Sequence, residues 1–209
     1  MTDTTVVIKT IGRRTLRSAV DSAVREGFDP IIVSDGADIS PEQSGGCRVV
    51  RLGKNWGYYG GMTSNVGAAV TPTEFMTLLD DDDEFVEGAG DIIRSKLKER
   101  PEIDIWIGGV RFKDRIALRL ADGSVYQSTD LAVKPEFGVN PGNVAMPTYR
   151  TEIFSRFPFV DDVAKTQDNL TDFLHVRKCM LEGYKVYWYE KAIYLVRPDE
   201  QGTNGGGKL

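Results

Sequence analysis

Histidine and cysteine are nearly absent from this sequence. Its 209 residues include one histidine, His175, and two cysteines, Cys47 and Cys179. A single histidine excludes a zinc site built from several histidines. Without an export signal, the two cysteines are expected to remain reduced thiols rather than to form a disulfide.

Long apolar runs and an excess of basic charge are also missing. No stretch approaches the roughly 18 apolar residues of a membrane span, and Met1 to Thr5 lack the basic and apolar regions of a signal peptide. The net charge of −5 disfavours a broad nucleic-acid-binding surface. We therefore expect a soluble, cytoplasmic protein with no membrane span and no nucleic-acid partner, folded as a single domain over residues 1–209.

A run of four aspartates, Asp80 to Asp83, is the most informative feature that the chain does contain. It follows the apolar residues 75–79, which are typical of a short buried strand. In open α/β folds the ligand binds at the carboxyl ends of the strands, and Mg²⁺ or Mn²⁺ takes oxygen ligands. A solvated acidic loop or a helix N-terminus is the alternative, but the position directly after a buried strand favours a metal site.

Strand and helix patterns alternate through residues 1–100. Strands are predicted at residues 6–8, 30–34, 48–52 and 75–79, helices at 13–26, 62–70 and 91–100, and a loop at 40–46. This alternation predicts an α/β fold with a Rossmann-like, mostly parallel central sheet and helices on both faces. Residues 1–100 are thus expected to form a nucleotide-binding half.

The pattern changes after Pro101. A smaller β/α part, expected to lie on the side of an acceptor substrate, is predicted over residues 101–197. Strands are predicted at residues 103–112, 116–120, 124–128, 184–189 and 193–196, helices at 149–157 and 169–182, and a hairpin turn at Asp122-Gly123. The glycine-rich residues 198–209 are expected to be a flexible tail.

Polar clusters stand where three of the predicted strands end: Thr10 to Arg14, Asp35-Gly36 and the aspartate run. Because parallel strands end at one edge of a sheet, these clusters should converge. The first begins a helix and so offers exposed N–H groups to an anion. Asp35 is able to accept a hydrogen bond from a base or a ribose, although a simple turn explains Asp35-Gly36 equally well.

Residues 53–65, GKNWGYYGGMTSN, combine glycines with aromatic side chains. Glycines permit close approach of the backbone, and aromatic rings stack on bases or sugars. The segment lacks the endings of a P-loop and of a dinucleotide fingerprint, and an aromatic loop packed on the sheet is the alternative interpretation. Farther along, Asp168 and Asp172 share one face if both are helical; in the alternative interpretation Asp168 is an N-cap and Asp172 is a first-turn charge favoured by the helix dipole. His175 fits a core or surface position better than a ligand.

Taken in order, several segments resemble the GT-A-fold glycosyltransferases, especially the inverting family-two type, from about Val6 to Arg197. These segments are VVIKTIGRRTLRSAVDSAV, IIVSDGA, NWGYYGGMTSNVGAA, FMTLLDDDDEFVEG, GNVAMPTYRTEIFSRFPFVDD and TDFLHVRKCMLEGYKVYWYEKAIYLVR. The resemblance implies a metal-dependent inverting hexosyltransferase that moves a sugar from a UDP-sugar to a hydroxyl of a sugar, glycan, lipid or protein. A sugar-nucleotide nucleotidyltransferase and a non-catalytic nucleotide- or sugar-binding protein of this fold are the alternatives.

The resemblance also implies roles for individual residues. Donor binding is expected at Thr10, Ile11, Arg14, Asp35, Asn55, Asn65, Asp80 and Asp81. Asp82 is expected to hold Mn²⁺ or Mg²⁺, with Asp199 as a second candidate ligand. Counting back from Gly183 assigns the catalytic base to Asp172, with Asp168 as the competing base. Gly142, Asn143 and Met146 are expected on the acceptor side, and the tail is expected to order over bound donor as a lid. Ser34, Ser64 and Thr171 depart from the family pattern.

Overall fold

A computed structural model describes residues 4–57, 60–112, 115–116, 125–126, 147–159 and 171–196. The strands are β1 (Thr4–Thr10), β2 (Pro30–Ser34), β3 (Arg48–Arg51), β4 (Phe75–Asp80), β5 (Asp83–Phe85), β6 (Ile105–Phe112), β7 (Arg115–Ile116), β8 (Val125–Tyr126), β9 (Thr148–Arg150) and β10 (Val186–Val196). The helices are α1 (Leu16–Arg25), α2 (Pro41–Ser44), α3 (Gly61–Val70), α4 (Ala89–Glu99), α5 (Ile153–Arg156) and α6 (Thr171–Leu181).

The strands form a mostly parallel sheet in the order β3-β2-β1-β4-β9-β6-β10-β5. β1 pairs in parallel with both β2 and β4, β2 pairs in parallel with β3, and β6 pairs in parallel with β10. β9 is inserted antiparallel between β4 and β6, and β5 runs antiparallel to β10. The predicted α/β class with a mostly parallel sheet is therefore confirmed.

The helices cover the sheet as its connections require. The chain moves outward from β1 to β2 and β3 and then returns to β4 on the other side of β1. Right-handed crossovers of opposite direction place α1 on one face and α3 on the other. α3 lies so close to β1 that a Cβ added at Gly67 would be 2.3 Å from Cγ1 of Val7. These elements enclose a core in which Val6, Val7 and Ile8 are fully buried.

One predicted loop contains a helix. Residues 40–46 were expected to be irregular, but α2 forms one turn there. The backbone N–H of Gln43 donates to Oγ of Ser40 at 3.3 Å, and the backbone N–H of Ser40 donates to Oε1 of Gln43 at 3.1 Å. This capping box and Pro41 in the first turn satisfy the N-terminal amides. Both signals, Ser40 with Gln43 and the proline at position 41, are visible in the sequence.

The second half differs more from the prediction. The helix predicted at residues 149–157 is wrong, because that segment begins with the strand β9 and continues into the single turn of α5. Tyr149 is fully buried with β9 paired on both sides, so tertiary packing overrides the local pattern. The two late strands predicted at 184–189 and 193–196 are one strand, β10, with register shifts around Ala192. The predicted turn at 122–123 and the tail at 198–209 lie outside the described residues.

Candidate functional site

The aspartate run lies at the topological switch point of the sheet, between β1 and β4, where the order of the strands reverses. β2 and β4 flank β1 on opposite sides, so the carboxyl ends of β1 and β4 border the crevice in which open α/β sheets bind ligands. Lys9 and Asp80 are register partners at these ends. The first and third of the predicted polar clusters therefore converge.

Asp81 points into the protein and organises the loop between β1 and α1. Its side chain is 1% exposed. Oδ2 accepts hydrogen bonds from the Thr10 hydroxyl at 2.5 Å and from the Ile11 backbone N–H at 3.2 Å, and Oδ1 pairs with the guanidinium of Arg13. Asp81 thus holds in place Thr10 and Ile11, two residues predicted to contact a donor. Direct donor contact by Asp81 itself stays a prediction.

The carboxylates of the other three aspartates approach one another, with Asp80 and Asp82 partly exposed and Asp83 buried. Asp80, Asp82 and Asp83 each offer a carboxylate oxygen, and these oxygens lie within 4.8 Å of one another. Burial, reinforced by the charge of Asp80, raises the pKa of Asp82, although Arg13 at 3.7 Å opposes the shift. A cation would relieve this crowding of negative charge. Because all the donors are carboxylate oxygens, the site fits a hard divalent ion such as Mg²⁺ or Mn²⁺.

Two basic residues reach into the aspartate run: Arg13, which belongs to the predicted Thr10 to Arg14 cluster, and Lys9, which was not among the predicted site residues. Nζ of Lys9 lies 2.9 Å from Oδ1 of Asp80, and the lysine side chain is only 6% exposed. Arg13 pairs with Asp81. Burial acts to lower the pKa of Arg13, but the negative charges of Asp81, Asp82 and Asp80 raise it overall. The sequence contains a signal for Lys9, since a lysine in a buried β-branched strand must find a partner. Its partner depends on strand pairing that the sequence does not state.

Asp35 organises a second loop. It is almost completely buried, and its two carboxylate oxygens accept hydrogen bonds from the backbone N–H groups of Trp56 and Gly57, each at 2.8 Å. Gly36 has a φ of +85°, and a Cβ there would lie 2.6 Å from the backbone nitrogen of Asn55. Residues 54–57, the described start of the glycine- and aromatic-rich segment, therefore pack against the end of β2. Asn55 is exposed on this segment, and contacts of Asp35 and Asn55 with a ligand remain predictions.

Asn65 connects α3 to the second half of the chain. Its Nδ2 donates to the carbonyl of Phe159 at 3.0 Å, and its Oδ1 accepts from the N–H of Phe159 at 2.8 Å. These two bonds attach α3 to the backbone of Phe159, so the Asn65 side chain has a structural role. Arg14 is exposed near the start of α1, and its predicted donor contact, like that of Asn65, remains a prediction.

His175 lies in the core rather than at the crevice. Nε2 lies 2.6 Å from the carbonyl oxygen of Phe157, and the ring stacks on Phe159 with centroids 4.1 Å apart. Burial lowers the pKa of His175 to about 4, although the hydrogen bond to Phe157 opposes the shift. The histidine is therefore neutral near pH 7, in line with a core role.

The predicted catalytic residues are described only in part. Asp172 is the second residue of α6, of which the backbone alone is described there. Asp168, Asp199, Gly142, Asn143 and Met146 lie outside the described residues. Across the described part of the chain, none of the helices combines the length and the apolar content that a bilayer span needs.

Comparison with known proteins identifies the fold. No family model matches the sequence, and no curated protein matches it. The crystal structure of S. aureus TarS 1–349 matches with a TM-score of 0.72 and 15% identity, over 94% of this chain and 61% of that chain. TarS 1–349 in complex with UDP-GlcNAc gives 0.70 and 14%, over 92% and 58%, and its complex with UDP gives 0.67 and 14%, over 94% and 61%.

These structures establish how far the likeness extends. TarS is a GT-A-type glycosyltransferase, and the chain shares its fold, as the sequence resemblance predicted. The chain spans about three fifths of the length of the TarS fragment. At this low identity the likeness shows the architecture alone.

Proposed function

We propose that this protein is a glycosyltransferase that takes a sugar from a nucleotide-sugar donor, a UDP-sugar, and transfers it to a hydroxyl acceptor. The observation that carries the proposal is the group of Asp80, Asp82 and Asp83 at the switch point of a GT-A-type sheet. The TarS complexes with UDP and UDP-GlcNAc support the choice of donor. The acceptor is a sugar, glycan, lipid or protein hydroxyl.

A divalent cation, Mn²⁺ or Mg²⁺, would be held by Asp82 together with Asp80 and Asp83, and when bound it would neutralise charge on the leaving diphosphate. The protein's own residues prepare the site around it. Asp81 fixes Thr10 and the Ile11 backbone at the end of β1. Because hydrogen bonds within the protein hold these groups in place, little ordering would be needed on binding.

Asp35 would prepare the nucleotide side of the site in the same way. It holds the backbone of Trp56 and Gly57 with both oxygens, which leaves the Trp56 ring partly exposed, with Nζ of Lys54 4.1 Å from the ring centroid. An aromatic ring in this position is suited to stack on a base or a sugar.

We assign the catalytic base to Asp172, with Asp168 as the competing candidate. The base would accept the proton of the acceptor hydroxyl, whose oxygen would then attack the anomeric carbon on the face opposite the leaving diphosphate, so the configuration inverts. Such assistance is worth about 10²–10⁴-fold in rate. His175 anchors α6 to the Phe157–Phe159 segment, which Asn65 in turn ties to α3. The start of α6, where Asp172 lies, is thereby linked to the nucleotide-binding half.

The first experiment measures UDP binding and the hydrolysis of a panel of nucleotide sugars, with Mn²⁺, with Mg²⁺ and with a chelator. We expect cation-dependent binding of UDP and slow hydrolysis of at least one donor. Asp82→Ala should abolish the dependence of UDP binding on the cation and leave the fold intact. Asp91→Ala is the matched control, because Asp91 is an exposed aspartate on α4. Absence of UDP binding by the wild-type protein would refute the proposal.

The same assay separates the two candidate bases and the alternative functions. Asp172→Asn should lower turnover by about 10²-fold or more at nearly unchanged donor affinity. If Asp168 caps the helix, Asp168→Asn should instead leave turnover nearly unchanged, because asparagine caps a helix as well as aspartate does, and Asp168→Ala should cost about 0.5–2 kcal/mol of stability. The reverse result would assign the base to Asp168. Donor binding without any turnover would indicate a binding protein, and synthesis of a nucleotide sugar from a nucleoside triphosphate would indicate a nucleotidyltransferase.

A further inference from the structure

We propose that Lys9 is an internal counterion that competes with the divalent cation for Asp80, and that it thereby makes cation binding depend on the nucleotide. This inference rests on the proposed use of a divalent cation. Lys9 is almost completely buried, with a side chain that is 6% exposed, and its ammonium lies 2.9 Å from Oδ1 of Asp80.

The position of Lys9 is set by the fold. It lies on β1 in register with Asp80 on β4, so the two side chains meet at the carboxyl ends of adjacent parallel strands. The stem of the lysine passes next to the start of α3, where a Cβ at Gly60 would come within 3.0 Å of its Cδ. A buried ammonium is costly unless it is paired. The ion pair with Asp80 is therefore a built part of the site.

The ammonium opposes cation binding in two ways. It occupies Oδ1 of Asp80, one of the three carboxylates that approach one another here. It also places a positive charge beside the position that a second positive charge would take, where partial burial limits screening by water. A divalent ion that enters alone must meet this repulsion.

A nucleotide diphosphate changes this balance because its negative charge is attracted to the ammonium and to the metal ion alike. Binding of the cation and of the nucleotide should then be positively coupled, and the coupling is reciprocal by thermodynamic necessity. Lys9 is on this view a specificity-determining residue: it disfavours capture of a free cation and favours the cation that arrives with a diphosphate.

The experiment titrates the whole chain with Mn²⁺, with and without UDP, and follows free Mn²⁺ by electron paramagnetic resonance. Lys9→Met removes the charge at similar side-chain length and should tighten Mn²⁺ binding to the nucleotide-free protein by at least tenfold, while the gain in Mn²⁺ affinity on adding UDP shrinks. Lys9→Arg keeps the charge and should bind free Mn²⁺ as weakly as the wild type. Lys96→Met is the charge control, because Lys96 pairs with Glu99 on α4, and it should change nothing.

Melting curves identify the folded variants, and Lys9→Gln replaces Lys9→Met if the latter does not fold. The inference is overturned if the neutral Lys9 variant binds Mn²⁺ no more tightly than the wild type, including the case in which neither binds it. An equal gain in Lys96→Met would overturn it as well, since the effect would then be one of net charge. Failure of the wild type to bind UDP would instead refute the proposed donor, and the nucleotide-free titration would still decide the role of Lys9.

Discussion

Asp81 and Asp82 are neighbours in the chain, yet the structure predicts that the change to asparagine destabilises the protein at Asp81 and not at Asp82. Asp81→Asn keeps the shape of a side chain that is 1% exposed and accepts three hydrogen bonds. One amide oxygen still serves Thr10 and Ile11. The amide NH₂ would then face the guanidinium of Arg13, so that two donors meet and a partly buried cation loses its carboxylate.

The size of this loss follows from the burial of the pair. Removal of one partner of a buried ion pair typically costs about 3–5 kcal/mol. Arg13 is 25% exposed and is able to recover part of its hydration, so we expect the lower end, about 3 kcal/mol. That is a large share of the roughly 5–15 kcal/mol by which a domain of ordinary stability is folded.

Asp82→Asn should not destabilise the metal-free protein. Burial and the charge of Asp80 raise the pKa of Asp82, so the ionised carboxylate is less favourable in the folded state than in the unfolded state. Removal of its charge should leave the free energy of unfolding unchanged within about 0.5 kcal/mol or raise it slightly.

Urea unfolding of the two variants and the wild type, at pH 7 with a chelator present, measures both values. A loss below about 1 kcal/mol in Asp81→Asn would refute the argument that Asp81 is the structural member of the run. A loss in Asp82→Asn as large as that in Asp81→Asn would show that the two acids are not distinguished by their surroundings.

Two further predictions concern the core. Burial lowers the pKa of His175 from 6.5 to about 4, so the unfolded chain takes up a proton there that the folded chain does not. About 2 kcal/mol of stability should therefore be lost as the pH falls from 7 to 5. Urea unfolding should show a weaker pH dependence of stability in His175→Gln than in the wild type, and an unchanged dependence would contradict the assignment. Gly67→Ala would bring a Cβ within 2.3 Å of Val7 and should cost about 1–3 kcal/mol despite the better helix propensity of alanine, whereas Gly53→Ala, with open space around it, should lie within about 0.5 kcal/mol of the wild type.

The first half of the fold was predictable because its signals are local. β2 lies at residues 30–34 as predicted. All five of its residues are buried, which is why the strand appears in the sequence as a continuous apolar run. The buried face of α1 carries Leu16, Ala19, Val20 and Ala23, which are four of the five apolar residues whose spacing predicts the helix, whereas the fifth, Val24, is exposed. β9 was not predictable in this way, because three residues form a strand only when two distant strands supply partners.

The position of the site was predictable from the sequence, but the role of each residue in it was not. The aspartate run marked the edge of the sheet, yet its sequence does not state which acid points inward, since that depends on how the chain turns between β4 and β5. The same holds for Lys9, whose partner follows from the register of β1 on β4. Asp35 and Asn65 were expected to contact ligand, and their bonds to backbone groups could not be seen without the loops that they hold.

The inserted strand β9 has a consequence for how the chain assembles during synthesis. β4 and β6 both leave the ribosome before β9, and their facing edges stay open until residues 148–150 arrive. Open strand edges are prone to pair with other chains, so the nascent protein passes through a stage at which it is exposed to aggregation. Two fragments divided near Pro101 would accordingly be expected to bind each other through this strand rather than to fold apart.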